Sequence, residues 1–194
     1  VIDSLSTLGF DYPRRAGFFR SELEQFLLLC REEGMDYLGP LGSYAGAMGM
    51  PQFMPSSYRK LAADGDGGGR RDIWNNPADA IASVANYFAR NGWRAGEPIA
   101  VPARVSGDGY RDVVSTKNPK ASLTLGQLAN LGVTPAEPVG GGQKAGLLQL
   151  AGENGPEFWI TFHNFSVIMR YNHSPLYAMA ATELVREWRG GPGR

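Results

Sequence analysis

The sequence lacks the residues on which several classes of protein depend. Its 194 residues include one cysteine, Cys30, so no disulfide can form within the chain. Lysine plus arginine and aspartate plus glutamate number 19 each, and a chain without net charge has no overall field to attract nucleic acid. No apolar run reaches the roughly 20 residues that a membrane-spanning helix needs. These absences argue against a disulfide scaffold, a nucleic-acid partner and a transmembrane segment in this chain.

Several common catalytic arrangements are also missing. Nothing in the sequence resembles a Ser-His-Asp set, a group of zinc ligands or a phosphate-binding loop. Of the two histidines, His173 is interpreted as a structural hydrogen-bonding residue, and no partner can be named for His163. The chain starts at Val1 in a helical pattern without a signal peptide, so we expect a processed or trimmed piece.

Helical patterns dominate the two ends of the chain. Apolar residues recur at helical spacing from Ala16 to Glu33, and Gly34 ends the pattern. Asn76 and Pro77 are typical of a helix start, and the buried stripe of that helix is predicted as Ile81, Val84, Ala85 and Phe88. Further helices are predicted at 1–10, within 52–63 with Pro55 near the start, at 165–170, and from Ser174-Pro175 to a frayed tail at 190–194.

The middle of the chain predicts strands. Residues 98–105 read as a strand whose prolines suggest a sheet edge, and 111–114 is a weaker candidate. Thr124 caps a short helix at 125–131, and strands at 145–150 and 158–162 are joined by a Gly-Glu-Asn-Gly turn. We therefore predict an α+β fold, mainly α, with a helical core at 1–97, a small β-rich insertion at 98–162 and returning helices at 163–194.

Residues 42–58 combine small residues with polar and aromatic ones. Glycines at 42, 46 and 49 allow close backbone approach, while Ser43, Tyr44, Gln52 and Tyr58 offer hydroxyl, amide and ring contacts. One interpretation is a low floor with polar walls that binds a sugar polymer. The alternative is a tight junction between helices in which the glycines only allow packing.

Residues 64–74 place aspartates at alternate positions among glycines. This is how a calcium loop presents oxygen atoms, and Gly69 occupies the sixth position, where such a loop turns. However, Gly68 stands where a carboxylate or amide is expected, and Asn75 stands where the closing carboxylate would be. Spacing alone therefore favours a glycine-rich loop over a metal site.

Three runs carry a family resemblance that covers most of the chain. Ser43 to Tyr58, Asn76 to Phe88 and Arg170 to Ala180 resemble the lytic transglycosylases of the membrane-bound lytic transglycosylase B type. The resemblance implies a lysozyme-like fold and cleavage of the peptidoglycan glycan strand between N-acetylmuramic acid and N-acetylglucosamine. It also implies a place in the periplasm or cell envelope of a Gram-negative bacterium.

The resemblance implies roles for particular residues. Ser43 matches the serine that hydrogen-bonds and positions the catalytic glutamate. The residues that match the lining of the substrate cleft are Gln52, Tyr87, Tyr171, Asn172 and Tyr177, and we add Tyr44 as a substrate contact. For Tyr87, helix periodicity alone also allows a half-buried core tyrosine.

The resemblance also changes the interpretation of the loop at 64–74. Members of the family carry a longer EF-hand-like loop, closed by an aspartate inside the following helix. The implied ligands here are Asp64, Asp66, the carbonyl of Arg70, Asp72 and Asp79. Because Gly68 supplies no carboxylate, we expect a weak or vacant calcium site, and no cofactor is required for the reaction.

The resembled enzymes use one glutamic acid as acid and then base, which yields a 1,6-anhydro product. Glu32 and Glu33 precede residues 42–58, but their position favours the interpretation that they lie at a solvated helix end. In the family the acid lies before the motif that matches Leu5 to Arg15, so we expect it outside the numbered sequence. The alternatives are an inactive chain, a glycan-binding module without catalysis, or a calcium-dependent structural protein.

Overall fold

The computed structural model describes residues 1–190, with side chains described up to residue 188. The chain divides into two compact units, one from Val1 to Arg90 and one from Asn91 onward. The predicted boundaries at 97/98 and 162/163 lie within the second unit and stay predictions. The part of the predicted tail at 191–194 lies outside the described residues. None of the helices in residues 1–190 combines the length and apolarity that crossing a membrane requires.

The first unit is helical. Its helices are α1 (Ile2–Phe10), α2 (Ala16–Glu33), α3 (Pro55–Leu61) and α4 (Pro77–Arg90), with a 3-10 turn at Pro13–Arg15. The predicted range of α2 is confirmed, and Gly34 ends it in the left-handed conformation at φ 64°. Pro55 opens α3 at its first turn, as expected of a residue without a backbone N–H.

The predicted buried stripe of α4 is wrong. Ile81 is 71% exposed, whereas the buried residues of the helix are Asp79, Ala80 and Ser83. The Ser83 hydroxyl accepts a hydrogen bond from the backbone N–H of Ala63 at 2.9 Å. Polar side chains face inward here because the neighbouring loop has backbone N–H groups that need acceptors. The spacing of apolar residues in the sequence carries no information about such donors.

Within residues 91–190, the second unit contains a six-stranded sheet, three α-helices and a 3-10 turn at Gly109–Asp112. The strands are β1 (Ala100–Val105), β2 (Val114–Ser115), β3 (Leu123–Thr124), β4 (Val133–Pro135), β5 (Lys144–Gly152) and β6 (Gly155–Thr161). The sheet order is β2-β5-β6-β1-β4, with β3 paired to β5. The helices are α5 (Leu125–Asn130), α6 (His163–Tyr171) and α7 (Pro175–Gly190). The mainly helical α+β class and the β-rich middle are therefore confirmed.

Local sequence signals explain the best-predicted parts of this unit. Thr124 and Gln127 form a capping box that starts α5. The strands β5 and β6 form the predicted hairpin, which closes with Gly152 opposite Gly155. The core beneath the sheet consists of apolar residues from the strands, α5 and the segment before α6, namely Val101, Leu128, Val133, Ala145, Leu147, Ile160 and Phe162.

The prediction that β1 forms a sheet edge needs correction. The strand lies between β6 and β4, so it is an interior member of the sheet order. Its first half, up to Pro102, pairs with β6, and its second half, from Ala103, pairs with β4. Pro102 can therefore lack a backbone N–H because the strand changes partner at that residue.

Candidate functional site

Residues 42–53 form a compact turn, called here the signature turn. The backbone N–H of Ser43 donates to the carbonyl of Ala47 at 2.8 Å. Met48 pairs with Gly42 on one side and with Phe53 on the other as isolated antiparallel bridges. Side chains that project from this turn are therefore held on a hydrogen-bonded frame rather than on an open loop.

The glycines of the signature turn serve its own packing. A Cβ built on Gly49 would lie 2.6 Å from the carbonyl oxygen of Ile73, and one on Gly46 would lie 2.5 Å from Leu5 Cδ2. Both glycines also have positive φ, 61° and 79°. The packing interpretation is therefore the right one for these two glycines. Protein atoms, and not a ligand, occupy the space beside them.

Tyr58 is likewise part of the interior. It is fully buried and its hydroxyl donates to the carbonyl of Arg71. Burial and the nearby Glu33 carboxylate raise the pKa of Tyr58 to about 12, so the hydroxyl remains a donor at neutral pH. The suggestion that Tyr58 contacts a ligand is wrong for this structure.

Two predicted contact residues stand on the exposed side of the signature turn. Tyr44 is 91% exposed. Gln52 is also exposed, and its side-chain amide donates to the carbonyl of Gly49 at 3.0 Å. Gln52 has φ 53° and is the one non-glycine residue with positive φ among residues 1–190. Such strain at a residue with a large polar side chain is typical of functional sites.

Ser43 is oriented by its own turn. Its Oγ accepts hydrogen bonds from the backbone N–H groups of Ala45 at 3.3 Å and Ala47 at 3.2 Å. A hydroxyl that accepts two bonds still has one proton to give. The geometry thus leaves Ser43 able to donate to a carboxylate that approaches the turn.

Tyr87 packs against the end of the signature turn. Its ring centroid lies 5.9 Å from that of Phe53 and 6.0 Å from that of Phe88. The side chain is half-buried, which agrees with the core-tyrosine interpretation and also leaves part of the residue accessible. The first unit thus brings Tyr87 close to the turn that carries Ser43, Tyr44 and Gln52.

The remaining predicted cleft residues belong to the second unit, where α6 ends and α7 begins. Tyr171 and Tyr177 are stacked, with ring centroids 6.3 Å apart and an interplanar angle of 13°. Asn172 is exposed, and its Oδ1 accepts from the backbone N–H of Ser174 at 3.1 Å. The structure therefore brings these three residues together within the second unit. It likewise brings four predicted residues together within the first unit, namely Ser43, Tyr44, Gln52 and Tyr87.

Residues 64–79, called here the metal loop, gather three of the five predicted ligands. Carboxylate oxygens of Asp64, Asp66 and Asp79 all lie within 4.8 Å of one another. Asp72 makes different contacts. Its Oδ1 accepts hydrogen bonds from the backbone N–H groups of Trp74 and Asn75, both at 2.9 Å. Three clustered carboxylates fit a hard cation such as calcium, although they are fewer than a complete loop supplies.

Backbone donors already hold these carboxylates in place. Asp79 is 1% exposed, and its two oxygens accept from the N–H groups of Gly65 and Asp72, each at 2.7 Å. Asp64 accepts from the backbone N–H groups of three consecutive glycines, Gly67, Gly68 and Gly69. The loop is therefore folded by its own hydrogen bonds.

Hydrogen bonds favour the ionised form of two aspartates in the metal loop, Asp66 and Asp72. The side-chain amide of Asn76, followed by the backbone N–H of Gly68, lowers the pKa of Asp66. Burial pushes the pKa of Asp72 upward, but the hydrogen bonds from Asn75 and Trp74 outweigh it and leave that pKa below its ordinary value. Asp66 and Asp72 are thus held in the ionised form at neutral pH.

Glu32 and Glu33 are not suited to proton donation. Arg59 hydrogen-bonds Glu32 and lowers the pKa of its carboxyl group. Arg71 pairs with Glu33, which is partly buried. A general acid needs a raised pKa, which Glu32 lacks, and Glu33 is engaged by its arginine partner, so the geometry opposes a catalytic role for either residue. It also corrects the picture of a merely solvated helix end, because both carboxylates are held by arginines.

One buried carboxylate escaped sequence reasoning. Glu22 of α2 is 5% exposed and accepts from the backbone N–H of Ser56 at 2.9 Å and from its hydroxyl at 2.7 Å. It thereby satisfies free donors at the start of α3, directly after the signature turn. The available signal was its spacing, since Glu22 falls between Phe19 and Phe26 on the buried face of α2.

The chain was compared with known protein families and structures. The family model for the transglycosylase SLT domain matches residues 1–186. The curated membrane-bound lytic murein transglycosylase B of Escherichia coli (strain K12) is 47% identical over 184 residues, which cover 95% of this chain and 49% of that protein. The chain therefore spans about half the length of this relative.

Solved structures show the same likeness. Soluble lytic transglycosylase SltB1 from Pseudomonas aeruginosa is 47% identical with a TM-score of 0.89, covering 97% of this chain and 63% of that one. Escherichia coli lytic transglycosylase SLT35 in complex with calcium is 47% identical with a TM-score of 0.85, covering 95% and 57%. Pseudomonas aeruginosa SltB3 in complex with NAG-anhNAM-pentapeptide is 37% identical with a TM-score of 0.84, covering 98% and 51%.

The three runs that carried the resemblance in the sequence all lie inside the matched range. The identity holds across both compact units rather than within one short motif. The chain belongs to the transglycosylase SLT domain family.

Proposed function

We propose that the protein carrying this chain is a peptidoglycan lytic transglycosylase that cleaves the bond between N-acetylmuramic acid and N-acetylglucosamine without water. The observation that carries the proposal is the signature turn. The turn orients the Ser43 hydroxyl so that its proton remains available for donation. Tyr44 and the strained Gln52 lie on its exposed side. Family membership over residues 1–186 supports the reaction class.

The proposed chemistry uses one glutamic acid. It protonates the bridging oxygen, and then it removes the proton from the C6 hydroxyl of muramic acid, which attacks its own C1 to give the 1,6-anhydro product. We propose that this glutamate lies outside the residues numbered here, in keeping with the position of the acid in the family. Glu22, Glu32 and Glu33, which lie in the same unit as Ser43, are each held by other partners. Ser43 would donate its free hydroxyl proton to that carboxylate and fix its orientation.

The other predicted residues would bind the glycan. Amides such as those of Gln52 and Asn172 suit acetamido and hydroxyl groups, and the faces of Tyr44, Tyr87 and Tyr171 suit sugar rings. Tyr177 would act through its stack on Tyr171. One similar protein, SltB3, was solved with NAG-anhNAM-pentapeptide, which supports a glycan ligand. We place the activity in the periplasm or cell envelope, where peptidoglycan is found.

Calcium would have a structural place in the metal loop. The residues that fit it are Asp64, Asp66 and Asp79, with the carbonyl of Arg70 and Asp72 as further predicted ligands. The calcium complex of SLT35 supports the choice of ion. Bound calcium would screen the mutual repulsion of the clustered carboxylates, and we expect weak binding with no requirement in the reaction.

The function is tested by incubating purified peptidoglycan with the full-length protein and analysing the released muropeptides by mass spectrometry. We expect products 18 mass units lighter than hydrolytic ones, because the anhydro ring forms without the addition of water. Tyr44→Ala should reduce release about tenfold or more, whereas Tyr37→Ala, at another exposed tyrosine, should leave release unchanged. Gln52→Gly should also reduce release while removing backbone strain.

Other outcomes would overturn the proposal. Hydrated products would indicate a hydrolase. Binding of peptidoglycan without any release would favour a glycan-binding module. An equal loss in the Tyr44 and Tyr37 variants would remove the signature turn from the site.

A further inference from the structure

The second unit contains a cavity of about 420 Å³ lined by Lys117, Asn118, Ser166, Met169, Arg170 and His173, which we call the basic pocket. Every polar side chain in this lining can donate a hydrogen bond. Two of the six residues are always cationic at neutral pH, and none carries a carboxylate. Such a lining is complementary to an anionic group.

Two chain segments build the basic pocket. Ser166 and Arg170 are four residues apart on one face of α6, and His173 follows just beyond the end of that helix. Lys117 and Asn118 face them from the turn after β2, where both backbone N–H groups donate to the Ser115 hydroxyl at 3.3 and 2.9 Å. The pocket is therefore assembled from a helix and an internally bonded turn.

Arg170 contributes mainly a positive charge at a fixed position in the lining of the basic pocket. Its Nη1 donates to the carbonyl of Asn91 at 3.0 Å, a contact that helps to hold the guanidinium in place. Lys117 and His173 are both exposed. Their side chains can therefore be changed without disturbing the core.

The single sign of the charge distinguishes the basic pocket from other cavities of the described chain. A cavity of about 620 Å³ in the first unit is lined by both signs, with Glu33, Asp36 and Asp72 beside Arg70 and Arg71. A cavity of about 260 Å³ contains Asp112 and Lys120. Because the whole chain has no net charge, the cationic lining is a local feature and not a consequence of composition.

The basic pocket lies beside the aromatic pair of the proposed glycan site. His173 is two residues from Tyr171, so their Cα atoms are at most about 7 Å apart. Tyr171 stacks on Tyr177 and Asn172 is exposed between them. A sugar stacked on this tyrosine pair would therefore lie close to the pocket. A group attached to that sugar could enter the pocket if it is as long as two or three residues of extended chain.

We propose that the basic pocket binds a carboxylate of the peptide stem of peptidoglycan. The stem hangs from the lactyl group of muramic acid, and its acidic residue and its C-terminus carry free carboxylates. A carboxylate held by an ammonium, an imidazole and an amide gains charge-assisted hydrogen bonds. This inference rests on the proposed function and deepens it, since it makes the enzyme prefer peptide-bearing strands over naked ones.

The test compares two ligands that lack the scissile bond. GlcNAc-MurNAc-pentapeptide and peptide-free GlcNAc-MurNAc are titrated into the full chain by calorimetry at fixed ionic strength. We expect the pentapeptide to improve affinity about tenfold, and we expect Lys117→Gln with His173→Gln to abolish that advantage while affinity for the peptide-free disaccharide stays unchanged. Lys144→Gln, at an exposed lysine of β5, is the matched control and should keep the advantage.

A third ligand, the pentapeptide disaccharide with its carboxylates amidated, isolates the charge. It should bind the original chain no better than the peptide-free disaccharide. The inference is overturned if the amidated and free-acid forms bind equally, or if the double variant keeps the advantage of the pentapeptide. Absence of binding by the peptide-free disaccharide would instead contradict the proposed function, so the two failures are distinguishable.

Discussion

The signature turn and the metal loop are both rich in glycine, yet Gly49 of the first and Gly67 and Gly69 of the second are needed for different reasons. In the signature turn, the missing Cβ of Gly49 makes room for the carbonyl of Ile73, 2.6 Å from where that atom would lie. In the metal loop, Gly67 and Gly69 have positive φ, but no neighbouring atom lies within 4 Å of the position that a Cβ would take. Gly49 therefore requires both space and conformation, whereas Gly67 and Gly69 require conformation alone.

This difference assigns the two segments different kinds of stability. The signature turn, in addition to its internal hydrogen bonds, is held by packing against neighbouring elements through Leu5 and Ile73. The metal loop is held by hydrogen bonds from its own backbone to Asp64 and Asp79. A segment fixed by packing is sensitive to volume, and one fixed by carboxylates is sensitive to charge and pH.

The largest predicted effect separates space from conformation. Gly49→Ala should lower the free energy of unfolding by about 3 kcal/mol or more, because it adds a backbone clash to an unfavourable φ. Gly67→Ala should cost only about 1–2 kcal/mol, since the conformation is its sole penalty. Urea unfolding of both variants measures the contrast, and equal losses would show that φ alone governs both segments.

The next effect concerns the buried carboxylate of the metal loop. Asp79→Asn should lower the free energy of unfolding by about 2 kcal/mol, because an amide cannot accept from both the Gly65 and the Asp72 N–H groups. Asp64→Asn, at an exposed position of the same loop, is the comparison and should cost less. Both are measured in a chelator, so that lost metal binding does not contribute. A larger loss for Asp64 would mean that the exposed glycine N–H bonds organise the loop.

A third prediction restores the missing ligand. The original chain should bind calcium with a Kd weaker than about 1 µM, and Gly68→Asp should tighten it about tenfold by adding a carboxylate. Gly68 has no positive φ, and its Cβ would approach only the end of the Asp66 side chain, at 3.0 Å, so the substitution should be accommodated. Calorimetric titration measures both values. Submicromolar binding by the original chain would contradict the expectation of a weak site.

The smallest predicted effect is a pH dependence. The pKa of Asp66 is lowered in the folded state, chiefly by the Asn76 amide. Its stabilisation is therefore present above the unfolded pKa of about 3.9 and disappears as pH falls through the lower folded value. Asn76→Ala should make unfolding stability fall less steeply below about pH 4 than in the original chain. An unchanged slope would show that the exposed Asp66 pair contributes nothing measurable.

Much of the fold was predictable because its signals are local. The limits of α2, the capping box at Thr124 and the hairpin of β5 and β6 each follow from residues close in sequence. The buried face of α4 was not predictable, because Asp79 and Ser83 point inward to serve backbone donors of the preceding loop. Only the tertiary structure reveals which donors need acceptors.

The site was predictable to a similar degree. Sequence identified the exposed Tyr44 and Gln52, and it identified three aspartates that the structure clusters. It could not show that Gly46 and Gly49 pack against protein atoms, because composition does not say what occupies the space beside a glycine. It also missed Glu22, since a charged residue on an apolar stripe has meaning only once Ser56 is seen beside it.

Pro102 has a consequence for how the sheet can assemble. It lies opposite Trp159 of β6, and the next residue, Ala103, lies opposite Pro135 of β4. Neither proline can donate a ladder bond, so the point where β1 exchanges neighbours is marked on two strands by absent N–H groups. In the observed register the carbonyl of Pro102 accepts from the backbone N–H of Ala136 at 2.8 Å, but its ring nitrogen cannot return a bond. The flanking ladder bonds and side-chain packing must therefore set the alignment of β1 at this point.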